Sequence, residues 1–120
     1  MNDETAKAYP YRPALRVSIY IGERDHHAGQ PLYTAIVELA RKLGIAGATV
    51  LRGIEGYGAD AVVHSASIVD LSSNLPLIVV VIDELPRIQT FISTVADMLV
   101  DGMMTTEELE IVDHKHGKIL

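Results

Sequence analysis

The residues best suited to chemistry in this chain lie in Gly47-Ala48-Thr49-Val50-Leu51-Arg52-Gly53-Ile54-Glu55-Gly56-Tyr57-Gly58 and in the loop that runs on to His64. A β-branched strand opens this stretch and gives way to glycines at 53, 56 and 58, so backbone freedom replaces side-chain packing where the strand ends. Gly56-Tyr57-Gly58 can cradle a ligand through backbone N–H groups, and the same spacing also fits a plain strand end or bulge. Arg52, the cation of this stretch, can clamp an anionic ligand or pair with one of the sixteen acidic residues. Tyr57 can stack on a flat ring or pack under the loop. His64 closes the loop where a ligand or a neighbouring subunit would meet it. Arg52, Gly53, Gly56, Tyr57, Gly58 and His64 are therefore the ligand-binding residues expected here.

Other reactive side chains do not converge in the sequence. His26 and His27 are consecutive and His114 and His116 lie in a polar tail, whereas a metal needs donors that meet at one point, so no metal site is expected. Glu23, His26 and His27 share one polar loop, the place where acid–base chemistry would be sought. The chain has no cysteine, no Gly-x-Ser-x-Gly elbow, no His-Glu-x-x-His pair and no Walker A phosphate loop. We expect a binding protein rather than an enzyme, with no catalytic residues and no cofactor. Two alternatives are a metal-responsive trimer similar to the divalent-cation-tolerance proteins and a small enzyme using the loop from Glu23 to His27.

The elements that must position the glycine loop are legible from periodicity. Leu15, Val17, Ile19 and Ile21 alternate with Arg16, Ser18 and Tyr20, a half-buried strand ending at Gly22. A polar connector leads to Pro31, suited to a first helical turn, and Leu32, Ala35, Ile36, Leu39, Ala40 and Leu43 follow at helical spacing until Gly44. After the glycine loop, Ser65 to Leu71 predicts a second β segment and Leu75 to Ile82 a strand apolar on both faces. Asp83 is placed to cap a helix with Pro86 in its first turn, a stripe of Leu85, Ile88, Phe91, Ile92, Val95 and Leu99, and an end at Gly102. Leu109, Ile111 and Val112 give a last short strand. The order is β-α-β-β-α-β, an α+β ferredoxin-like sandwich with two helices on one face of a mainly antiparallel sheet. Residues 1–13 are expected to be a flexible arm, 14–112 the domain and 113–120 a polar tail.

Composition narrows the partners. A chain of 120 residues that is 48% hydrophobic can bury one core, and a net charge of −6 argues against nucleic acid or an anionic membrane as the main partner. The RNA-binding version of this fold would need aromatics on its central strands, and the single Phe, Phe91, sits in a helix stripe. The longest apolar run, Leu75 to Ile82, is too short to insert in a membrane as a helix, and the lack of cysteine and of a leader-type apolar run points to the cytoplasm. Because two helices cover one face of the sheet, the second apolar face of Leu77 to Ile82 needs another cover, either a loop or the N-terminal arm folded over it or, as we expect, identical subunits.

Tyr20-Ile21-Gly22-Glu23, Pro31-Leu32-Tyr33, Gly44-Ile45-Ala46-Gly47-Ala48-Thr49-Val50 and Gly53-Ile54-Glu55-Gly56-Tyr57-Gly58, with His64 downstream, resemble the PII-like family catalogued as domain of unknown function 190. The resemblance implies a homotrimer like the nitrogen-regulatory PII signalling proteins, with small effectors, usually adenine nucleotides, in clefts between subunits and a loop read by a partner protein. It also places Gly102 in the site, since PII proteins hold nucleotide phosphates there with a glycine-and-lysine loop. This chain has Asp101-Gly102-Met103-Met104-Thr105-Thr106 instead, so a phosphate would meet Asp101. ATP is accordingly expected to bind weakly, and adenosine-like or small anionic ligands to do better. The segment from Ala59 to Val63 is shorter and more apolar than a full PII T-loop with a modifiable tyrosine.

Overall fold

The computed structural model describes residues 9–67 and 73–113. In chain order these form β1 (Tyr11–Gly22), β2 (His26–His27), β3 (Gln30–Pro31), α1 (Leu32–Lys42), β4 (Gly47–Arg52), β5 (Glu55–Gly56), β6 (His64–Ser65), β7 (Pro76–Asp83), α2 (Leu85–Ala96) and β8 (Met103–Val112). The main sheet has the order β4-β7-β1-β8, with every neighbouring pair antiparallel. This is the ferredoxin-like α+β arrangement, and β2–β3 and β5–β6 are two small hairpins added to it. Among the described residues no helix is long and apolar enough to cross a membrane.

Side-chain alternation decides which face each residue takes. Val17, Ile19 and Ile21 of β1 lie beside Val81, Val79 and Leu77 of β7, and all six pack against Leu32, Ile36 and Ala40 of α1 and Ile88, Phe91 and Val95 of α2. On the opposite face Ile78, Val80 and Ile82 are half-buried beside Arg16, Ser18 and Tyr20. That helix-free face also exposes Leu51 and Met103 at the sheet's margins, at 52% and 56% of their surface. The doubly apolar strand thus has one face in the core and one largely open.

Several boundaries differ from the sequence expectation for physical reasons. β1 begins at Tyr11, four residues before the alternation starts, because Tyr11 and Arg12 are held by pairing with Val112 and Ile111 rather than by core burial. Pro13 is tolerated in β1 because the β7 pairing stops at Leu15 opposite Asp83, leaving only β8 as a neighbour there. β8 spans ten residues rather than a short strand from Leu109, since an edge strand carries outward charges such as Glu107, which accepts from Arg16 at 2.8 Å. Of the expected β segment from Ser65 to Leu71, Ser65 belongs to β6 and residues 66 and 67 form a turn, while 68–72 lie outside the described residues. The parts of the expected arm and tail at residues 1–8 and 114–120 lie outside them too.

The two helix ends follow the same logic. Gly44, at φ +75°, closes α1 by donating to the Arg41 carbonyl, and Ile45 donates to that of Ala40. α2 ends at Ala96, well before Gly102, and Leu85 is exposed rather than part of the buried stripe. Asp83 does not cap α2 as its N-cap, which is Glu84. It is the buried last residue of β7, and its carboxylate accepts the N–H groups of Glu84 and Ala46 at 2.6 and 3.0 Å, and Arg87 at 3.3 Å. One carboxylate thereby fixes the start of α2 against the turn that feeds β4.

Candidate effector site

At one end of the sheet β1 and β4 finish while β7 and β8 begin, and the loops from these ends enclose a cleft of about 670 Å³. Five of the seven expected site residues line it: Gly53, Gly56, Tyr57, Gly58 and Gly102. Its floor is apolar, from Ile21, Pro76, Leu77, Ile78 and Met103, and Tyr20 and Tyr57 add aromatic faces. A volume of this size suits a small organic ligand.

Close backbone approach explains two of the glycines. A Cβ on Gly53 would stand 2.8 Å from Cγ of Pro76, and the Gly53 N–H donates to the Pro76 carbonyl at 2.7 Å. Gly102 has φ +117° and a Cβ there would lie 2.8 Å from the Tyr20 carbonyl oxygen, so the turn into β8 closes over β1 only without a side chain. Gly58 differs, because its φ is ordinary and nothing lies within 4 Å of a Cβ built on it.

Arg52 and His64 do not line the cleft. The Arg52 side chain is 62% exposed and forms an ion pair with Glu23, which is itself fixed by donating its N–H to the Leu75 carbonyl at 2.8 Å. His64 instead holds the loop. Its Nδ1 accepts the Asn74 N–H at 3.1 Å, so its Nε2 carries the proton donated to Asp60, also at 3.1 Å. The Asp60 carboxyl is held below its ordinary pKa, first by the Val62 N–H and then by His64.

Asn74, which reads in the sequence only as a turn residue, is the joint beneath the cleft. Its Oδ1 accepts the Arg24 N–H at 2.6 Å and its Nδ2 donates to Asp25 at 3.4 Å, while Asp25 accepts the Gly22 N–H at 2.9 Å. A Cβ on Gly22 would come within 2.3 Å of the Asn74 amide, so this glycine leaves room for the joint. Tyr20, Gly22, Asp25, Asn74 and Met103 are lining residues that the sequence argument did not single out, although Tyr20 and Gly22 lie in one of the motifs that carry the resemblance.

Among the described residues, the charged groups on the cleft wall are carboxylates, Asp25, Glu55, Asp60 and Asp101, with no Lys, Arg or His beside them. The histidines of the first connector lie elsewhere, His26 opposite Pro31 and His27 opposite Gln30, on successive positions that face opposite sides of the β2–β3 hairpin. Among the described residues no three His, Asp or Glu side chains form a group that could hold a metal.

The four-stranded sheet and its two helices share the fold of PII-like proteins of known structure. The fold matches CPII, a nitrogen regulatory PII-like protein from Thiomonas intermedia K12 solved with ADP, AMP and bicarbonate, at a TM-score of 0.67 and 9% identity, covering 88% of this chain and 93% of that one. It also matches a protein of Thermus thermophilus of the PII-like signalling type, at a TM-score of 0.61 and 15% identity, over 85% and 92% of the two chains. By sequence the chain belongs to the DUF190 family, uncharacterized ACR, whose model matches residues 14–111. A UPF0166 protein of Aquifex aeolicus is 33% identical over 94 residues, 78% of this chain and 89% of the relative. Another, from Methanocaldococcus jannaschii, is 40% identical over 67 residues, 56% of this chain and 61% of the relative.

Proposed function

We propose that this chain is a cytoplasmic regulatory protein that senses a small effector in the cleft between the Gly53–Asp60 loop and the ends of β1, β7 and β8. The observation that carries the reading is the cleft itself: loops from four strand ends, two of them shaped by glycines that admit no side chain, around an apolar floor. CPII, which shares the fold, was solved with ADP, AMP and bicarbonate, in keeping with a ligand of nucleoside or smaller size. A binding role also suits His64, both of whose ring nitrogens are engaged in holding the loop and which leaves neither for proton transfer.

Residues 14–112 act as the binding domain. The protein works as a homotrimer, whose other subunits cover the open sheet face around Tyr20, Leu51 and Met103 and complete the cleft. Effector binding orders the loop after β4, and a partner protein reads that order.

Thermal-shift measurements on wild type and Gly58→Val, against adenosine, adenine nucleotides, bicarbonate and common metabolites, test the reading. At least one compound should raise the melting temperature of wild type and not of the variant, whose added side chain stands in open space and leaves the fold intact. Light scattering should give about three times the 13.1 kDa chain mass. A monomer that no compound stabilises would refute the proposal.

A further inference from the structure

We propose that the effector is a small organic cation, a protonated amine or quaternary ammonium on a flat or apolar body, and that the cleft discriminates against anions. The inference rests on the cleft being the effector site and adds the charge of what it takes. Four carboxylates from separate segments face this space: Asp25 from the β1–β2 connection, Glu55 from β5, Asp60 from the loop beyond it and Asp101 from the turn into β8. Among the described residues of one chain, no basic side chain lines the cleft to balance them.

Their partners sharpen the point. Asp25 accepts the Gly22 N–H and Asp60 accepts that of Val62, which holds both carboxylates in place. The side chains of Glu55 and Asp101 make no hydrogen bond or ion pair among the described residues, so two carboxylates on separate segments of the cleft are left without a partner. The nearby cation that would serve an anion, Arg52, lies outside the lining and is neutralised by Glu23.

An anion entering here would be desolvated beside like charges, within a protein whose net charge is already −6. A cation meets the opposite situation. The carboxylates attract it, and the rings of Tyr20 and Tyr57 offer π faces to a positive group. Ile21, Leu77, Ile78 and Met103 take the apolar body.

Two series of probes that share a body and differ in charge test this by calorimetry on the full chain at neutral pH. The first is 5′-amino-5′-deoxyadenosine, adenosine and AMP; the second is benzylamine, benzyl alcohol and benzoate. In at least one series the amine should bind about tenfold or more tighter than the neutral member, and the anion more weakly than either. Added salt should narrow the gap. Glu55→Gln combined with Asp101→Asn, both at exposed positions, should remove most of the amine's advantage over the neutral member.

An anion that binds as tightly as its amine, with Gly58→Val abolishing both, would overturn the charge inference and leave the effector cleft standing. An amine preference that survives in the double variant would overturn it as well. Failure of all six probes, together with no response of the wild type to any compound in the thermal-shift panel, would remove both the inference and the site it rests on.

Discussion

Two glycines on the same cleft should respond to alanine in opposite directions, and the difference can be worked from their surroundings. Gly102 has φ +117°, a region closed to L side chains, and holding alanine there costs about 1–3 kcal/mol. Its new methyl would also press on the Tyr20 carbonyl at 2.8 Å, backbone that is fixed by the β1–β8 ladder, for roughly 1–3 kcal/mol more. Reduced freedom of the unfolded chain returns about 0.4–1 kcal/mol. Gly102→Ala should therefore destabilise by about 1–5.6 kcal/mol, roughly 3 at the middle of these ranges. Gly58 carries neither penalty, since its φ is ordinary and nothing lies within 4 Å, so Gly58→Ala should be neutral or gain up to about 1 kcal/mol. Urea unfolding at one fixed protein concentration reads both, and a gap of about 3 kcal/mol corresponds to midpoints separated by roughly 1–3 M. If Gly102→Ala unfolds within about 0.5 kcal/mol of wild type, or Gly58→Ala falls as far as Gly102→Ala, the turn into β8 is not closed over β1 in the way argued.

The two faces of β7 should separate folding from assembly: Val79→Asp, at a site with no exposed surface, should fail to fold by circular dichroism, whereas Val80→Asp on the open face should fold and show a lower mass by light scattering. A folded Val79→Asp, or an unchanged assembly in Val80→Asp, would contradict this assignment. Because the Asp60 pKa is lowered on folding, its contribution is complete above the ordinary carboxylate value and is lost as pH falls through the lowered one. Carboxyl NMR should place its midpoint below about 3.9, and a midpoint at or above that value would refute the bonding to Val62 and His64.

The core of the fold was legible because burial writes itself into side-chain periodicity. Val17, Ile19 and Ile21, and the α1 stripe from Leu32 to Ala40, face the same interior in the sequence pattern and in the structure. What periodicity hides is structure held by backbone pairing alone. Tyr11 to Ala14 of β1 and Met103 to Glu108 of β8 belong to one long β1–β8 ladder, and apart from Ala14 and Met104 their mixture of Pro, Thr and Glu carries no burial signal. Asp83 misled for a related reason. A carboxylate just before a helix reads as a cap, yet here its second oxygen reaches the N–H of Ala46, 37 positions away, a contact that only the packed sheet creates.

The site shows the same division more sharply. The glycines at 53, 56 and 58 marked the cleft because a backbone that must pass close to Pro76 and stay open at its mouth needs small residues in a local run. Its charge was not legible, because Asp25, Glu55, Asp60 and Asp101 come together only where four strand ends abut. Arg52 shows why adjacency in sequence is a poor guide to the sign of a site. It directly precedes Gly53, but its side chain is 62% exposed and meets Glu23 rather than lining the cleft. Glu23 follows Gly22, itself kept free of a side chain by the Asn74 amide, so the joint that shapes the cleft also positions the acid that withdraws its nearest cation. A cleft ringed by carboxylates, with its neighbouring arginine already paired, has its ligand's charge set by topology rather than by any single motif.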